Sequence, residues 1–201
     1  APIVWWGGVI AYIAVMVLVA VSIQRGGPEA RMVSPFQYLA FVGLIVAPIG
    51  GVTLGFETVS LWLAIISLIP YAVITVGYGL KLMKVRPPLP LRPSLVIVLA
   101  PTSLFALAFG QLGIEWAFQL FYWASLVLAL IMLFFSSWLT KGGFTTMWGA
   151  FTFPVAAFTN LQILAIGKGM GVIATTGLIA GLLIGTPLIL YIVYMAFKAW
   201  S

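Results

Sequence analysis

The chain has no histidine, no cysteine and no aspartate, and its only acids are Glu29, Glu57 and Glu115. Without His or Cys there is no ordinary zinc, copper, iron–sulfur or haem site, so neither a metal nor another cofactor is expected. Ser–His and Cys–His arrangements are excluded within the chain too, and no enzymatic function is expected. The missing cysteines also rule out a disulfide. Charge is scarce at 6% of 201 residues, against roughly 25% in soluble domains. Nine basic and three acidic side chains cannot cover a soluble body of this size.

What is present is apolar. Hydrophobic residues make up 64% of the chain, and the mean hydropathy is +1.24. The apolar runs are nearly continuous over about twenty residues, the length that crosses a bilayer as a helix. A transmembrane β-barrel would instead alternate polar and apolar residues in segments of about ten. The fold class is therefore an all-α polytopic membrane protein, with the lipid bilayer as its surroundings. The net charge of +6 marks membrane-flanking loops rather than a nucleic-acid partner.

Charges and Gly/Pro clusters divide the chain into candidate spans at about 4–23, 36–55, 59–80, 94–110, 116–138, 147–166 and 172–197, in a single transmembrane domain, 1–201. The segments 24–34, 81–93 and 139–146, with the C-terminus, hold Arg25, Arg31, Lys81, Lys84, Arg86, Arg92, Lys141 and Lys198. The opposite side holds Lys168, Glu57 and Glu115. Positive residues favour the cytoplasm, which predicts a plasma (inner) membrane protein with Ala1 outside and Ser201 inside. The opening Ala1-Pro2-Ile3-Val4-Trp5-Trp6 has no initiator Met and no basic region before the first apolar run, which is not a signal-peptide pattern. A chain truncated at its N-terminus is expected.

Prolines recur at a fixed interval. Pro48, Pro101 and Pro154 are separated by 101 − 48 = 53 and 154 − 101 = 53 residues, with one further span between each pair. The repeating unit is a helical hairpin, as in symmetric transporter and channel folds. A proline inside a helix removes a hydrogen bond and bends the helix, and carbonyls freed in lipid must face protein or a wet cavity. Kinked membrane helices also occur as plain packing, but the shared register of three predicts an inner ring of helices around a central path. A further kinked partner is expected upstream of Ala1. The alternate spans are bulkier and are expected to face lipid. Trp5, Trp6, Trp62, Trp116, Trp138, Trp148 and Trp200 lie near span ends as interfacial belts require. Pro70 and Pro187, in these outer spans, are read as local kinks.

No charge falls centrally in a span, which removes the usual mark of a proton relay. Polar lining must come from Thr53, Thr102, Ser103, Thr152, Thr159, Asn160 and Gln162, although Ser and Thr often bond their own helix instead. Small residues such as Gly50, Gly51 and Ala106 permit either close packing or a lumen. Immediately before the three prolines stand Ala47, Ala100 and Phe153. If these positions share an axis, two are small and one is aromatic, the arrangement of a hydrophobic gate; ordinary packing is the alternative.

The stretches Leu91-Arg92-Pro93-Ser94, Ile97-Val98-Leu99-Ala100-Pro101 and Trp148-Gly149-Ala150-Phe151-Thr152-Phe153-Pro154 resemble the tellurite-resistance/dicarboxylate transporter family. So does Ser34-Pro35-Phe36 running to Val46-Ala47-Pro48. This family contains TehA, the malic acid permeases and the slow anion channels. The resemblance covers the whole chain as helices four to ten of ten. It implies five hairpins around a pore, a homotrimer, and a phenylalanine on the ninth helix that occludes the pore. Phe153 matches that residue, with Phe151 as the neighbour to be told apart from it.

The combined expectation is a passive or weakly coupled anion channel or transporter for small inorganic anions or C4-dicarboxylates. Its gate would be Phe153, and its kink and lining residues Ala47, Pro48, Ala100, Pro101, Thr102, Thr152 and Pro154. A proton-coupled dicarboxylate carrier using Glu57 or Glu115 is the alternative within transport. A non-transporting membrane scaffold subunit is the alternative outside it.

Overall fold

A computed structural model describes residues 1–27 and 32–200, with the backbone alone at Trp200. Glu29 and Arg31, the Trp200 side chain and Ser201, on which parts of the orientation and belt expectations rest, lie outside the described residues. The chain is an all-α polytopic membrane protein, with no strand among the described residues. Helices α1 (Pro2–Arg25), α2 (Phe36–Phe41), α3 (Val46–Thr53), α4 (Glu57–Lys84), α5 (Leu99–Gln111), α6 (Glu115–Phe134), α7 (Ser136–Leu139), α8 (Thr152–Gly167) and α9 (Gly171–Trp200) follow in order. Three 3-10 segments, Gly43–Ile45, Leu89–Val98 and Thr146–Phe151, interrupt them. Among the described residues, six helical stretches are long and apolar enough to cross a membrane, and Gly43–Thr53 is a shorter apolar one.

The three periodic prolines have one structural setting. Pro48, Pro101 and Pro154 are each the third residue of an α-helix that directly continues a 3-10 segment. In the first turn of an α-helix the N–H groups have no intrahelical partner, so proline loses nothing there. The break is thus a change of helix type just upstream of each proline, rather than a bend inside a continuous α-helix. Over 36–55, where one span is expected, the chain runs as α2, a 3-10 turn and α3 for this reason. The prolines that do sit inside α-helices are Pro70 and Pro187.

Carbonyls freed by the interrupted 36–55 stretch are met by α1. The Tyr12 hydroxyl donates to the carbonyls of Leu39 (2.7 Å) and Ala40 (3.1 Å), and Trp5 Nε1 donates to the Ala47 carbonyl at 2.9 Å. In hydrocarbon each unmet backbone group would cost several kcal/mol, so these bonds fix where α1 lies against α2 and α3.

Three hairpins, α3–α4, α5–α6 and α8–α9, are closed by one turn type. The N–H groups of Phe56, Ile114 and Met170 reach back to the carbonyls of Gly51 (2.9 Å), Phe109 (2.9 Å) and Ala165 (3.0 Å). Each turn places a glycine in the left-handed region: Gly55 at φ 81°, Gly113 at 72° and Gly169 at 81°. This is the Schellman arrangement, where a side chain at that glycine would be strained.

The hairpins stack so that α5 is central. Every residue from Leu99 to Gly110 is buried; 89% of the apolar window in Leu89–Gln111 is covered, against 6% in α1 and 11% in α9. An aromatic cluster fills the space around it, with Phe105 5.0 Å from Phe121 and 5.1 Å from Tyr71. Lipid tails are as apolar as these side chains, so close packing rather than water exclusion holds the helices together. The α8–α9 contact shows this most directly. Gly177, Gly181 and Gly185 of α9 meet Gln162, Thr159 and Val155 of α8, and a Cβ at Gly177 would lie 2.8 Å from Gln162 Oε1.

Candidate functional site

The sequence-predicted residues all sit at or just after the 3-10-to-α junctions of α3, α5 and α8, but in unlike surroundings. Ala47 is half-buried, and its carbonyl is already engaged by Trp5. Pro48, Ala100, Pro101 and Pro154 are buried. Thr102 is fully buried: its hydroxyl meets the Val98 carbonyl at 2.8 Å and the Tyr71 hydroxyl at 2.9 Å. Thr152 is half-buried and donates to the Gly149 carbonyl at 2.8 Å. Phe153 is 48% exposed. Ala100 and Phe153 therefore share no enclosed space within this chain, since α5 is covered on every side.

Phe153 lies on a defined face of α8. Val155, Thr159 and Gln162 turn towards α9, and Pro154, Ala157, Phe158, Leu161 and Ala165 are buried in the packed layers. Phe153 stands roughly 200° round the helix from Val155, at 3.6 residues per turn. It shares its exposed stripe with Ala156, Asn160 and Ile163. Phe151, the residue most easily confused with it, is buried on the other side. It lines a cavity of about 460 Å³ with Leu130, Leu133, Val155 and Ile184, and its ring lies 5.8 Å from Trp148.

The remaining lining candidates divide by their bonds. Thr53 and Thr159 donate to carbonyls of their own helices. Gln162 is buried, accepts from the Tyr122 hydroxyl at 3.3 Å and donates to the Phe158 carbonyl at 3.4 Å. Ser103 is buried with its hydroxyl unpartnered. Asn160 alone of these polar side chains shares the open stripe of Phe153.

Charge stays at the ends of the helices. Glu115 pairs with Lys168, tying the α5–α6 turn to the α8–α9 turn, and the Lys168 ammonium lies 5.2 Å from the Phe118 ring centre. Glu57 opens α4. Arg92 lies 4.2 Å over the Trp138 ring and donates to the Pro87 and Trp138 carbonyls. Among the described residues no cluster of His, Cys, Asp or Glu has metal-binding geometry.

The site is thus a helical layer without charged side chains at its three breaks, which recur in one 53-residue register. The family model described as SLAC1, voltage-dependent anion channel, matches residues 1–199. The chain belongs to the voltage-dependent anion channel family. At the level of this family it is an anion channel or transporter, multi-pass in the membrane, and the family is one of channels and transporters rather than enzymes. No curated protein and no solved structure matches significantly.

Two features of this family member lie outside the proline register. One is a set of hydroxyls in the apolar core. Tyr38 meets Thr75 at 2.8 Å, Thr75 donates to the Tyr71 carbonyl at 2.6 Å, and Tyr71 meets Thr102 beside Pro101. It links α2, α4 and α5, and no sequence spacing marks it because its members come from three helices. The other is the glycine stripe of α9, whose i, i+4, i+8 spacing was visible in the sequence.

Proposed function

We propose that this protein conducts small inorganic anions or C4-dicarboxylates along the open face of α8, with Phe153 as a hydrophobic gate. The observation that carries this is the orientation of Phe153. α8 packs on the lipid-side helix α9 through Val155, Thr159 and Gln162, so its exposed stripe faces away from that layer. A path there has walls without fixed charge, one amide at Asn160, and an aromatic ring at the level of the helix break. Such a path passes an anion by width, dewetting and polar groups rather than by binding it to a cation.

The full assembly under this proposal is a ring of hairpins, forming a homotrimer, with the C-terminus in the cytoplasm. The one-sided placement of basic residues supports the orientation. Proton coupling is the weaker reading, because Glu115 is held by Lys168 at an outer turn and both Glu57 and Glu115 stand at the first residue of a helix rather than within a span. The test is Phe153→Ala in the complete protein, reconstituted in planar bilayers, where anion conductance should rise at least several-fold. Unchanged conductance with intact folding overturns the gate. Loss of substrate-driven proton uptake in Glu115→Gln liposomes would favour the coupled carrier.

A further inference from the structure

We infer that the chain holds an anionic phospholipid of the leaflet on its basic side, in the gap between α4 and α6. This site is distinct from the conduction path and does not depend on it. The gap is a cavity of about 720 Å³, within the roughly 300–1,000 Å³ range of small-molecule sites. One wall is Gly79 and Leu82 of α4, and the other is Leu128 and Ile131 of α6 with Phe135 just past its end. The 3-10 segment Leu89–Val98 closes it from behind with Leu95 and Val98. Apart from Tyr38 and Thr75, whose hydroxyls bond each other at 2.8 Å, the inner walls are hydrocarbon, so the chemistry they match is an acyl chain.

The mouth of the gap supplies the other half of an amphiphile. Arg86 lines it and, unlike Lys81 and Arg92, is committed to nothing. Lys81 donates to the Val33 carbonyl and Arg92 is held on Trp138 and Pro87, whereas the Arg86 guanidinium has no hydrogen-bond or ion-pair partner among the described residues. Tyr78 and Trp138 flank the same opening, as amphipathic rings do at headgroup depth. A free guanidinium at the bilayer surface above an apolar slot between helices is a phosphate site joined to a tail site. Charge complementarity thus selects an anionic phospholipid over a zwitterionic one.

The test uses the complete protein purified from membranes in mild detergent, with bound lipid counted by native mass spectrometry after exchange into phosphatidylglycerol or phosphatidylcholine. Wild type should retain phosphatidylglycerol preferentially. Arg86→Gln should lower that retention about fivefold, the equivalent of the roughly 1 kcal/mol that one Arg contributes near an anionic surface. Arg25→Gln removes the same charge from the same face and should leave retention unchanged. Gly79→Phe addresses the tail: Gly79 lines the gap and a Cβ there meets nothing within 4 Å, so a ring at this position should also displace the lipid, with an unchanged melting midpoint in lipid-free detergent as the check on folding. Equal retention of both lipids, no effect of Arg86→Gln, or no effect of Gly79→Phe overturns the site. Thermal stabilisation by inorganic phosphate equal to that by phosphatidylglycerol overturns it as well, because the tail would then contribute nothing.

Discussion

The α8–α9 seam gives a prediction whose size can be worked from geometry. A Cβ added at Gly181 would overlap Thr159 Oγ1 and lie 3.2 Å from both Thr159 Cβ and Cγ2. The threonine cannot swing away freely, because its hydroxyl donates to the Val155 carbonyl at 2.8 Å. Gly181→Ala must therefore push two helices apart along a seam that is also closed at Gly177 and Gly185, where a Cβ would lie 2.8 Å and 2.7 Å from its nearest neighbour. Overpacking of this kind costs about 1–3 kcal/mol, or a fall in midpoint of about 2–12 °C for a chain of this length. Thr159→Ala alone should cost only about 0.5 kcal/mol, since it removes a bond within its own helix. The double mutant should recover at least half of the loss; recovery stays partial because the Cβ–Cβ separation remains short. Gly7→Ala is the control: its Cβ meets nothing within 4 Å, and better helix propensity should leave it neutral or up to about 1 kcal/mol more stable. Thermal melts in one detergent, followed by circular dichroism, read all four variants. A Gly181→Ala midpoint within 1 °C of wild type (below the range just given), or strictly additive losses in the double mutant, would refute the steric account.

Two other perturbations bear on the backbone. Tyr12→Phe strips the donor from the Leu39 and Ala40 carbonyls and should cost about 0.5–2 kcal/mol, with faster amide exchange confined to 36–46. Uniformly faster exchange would show instead that the hydroxyl has no local role. Gly113→Ala places a side chain at φ 72° and should destabilise by about 1–2 kcal/mol; an unchanged midpoint would mean the turn can adopt another geometry.

The membrane class was legible in the sequence because it follows from composition alone: nine basic and three acidic side chains in 201 residues leave no other solution. The hairpin period was legible because Pro48, Pro101 and Pro154 repeat one requirement, a residue without an N–H at the start of an α-helix. What periodicity could not show is how each break is accommodated. The 3-10 segments depend on carbonyl partners such as Trp5 and Tyr12, whose positions are set by tertiary packing 27 to 42 residues away in sequence. The burial of Thr102 was hidden for a similar reason, because a threonine before a solvated lumen and one bonded to Tyr71 look alike in sequence. Phe153 is the converse case. Its place in the register was visible, and the structure adds which way it points.

The ten-residue 3-10 run Leu89–Val98 ahead of α5 has a mechanical consequence, since such runs rarely exceed about four residues. A 3-10 helix advances about 2.0 Å and 120° per residue, an α-helix about 1.5 Å and 100°. Each residue that passes from one form to the other at the Val98–Leu99 boundary therefore turns α5 by about 20° and shifts it by about 0.5 Å. The junction is a screw thread, and the helix it would drive is the one every other hairpin is packed around.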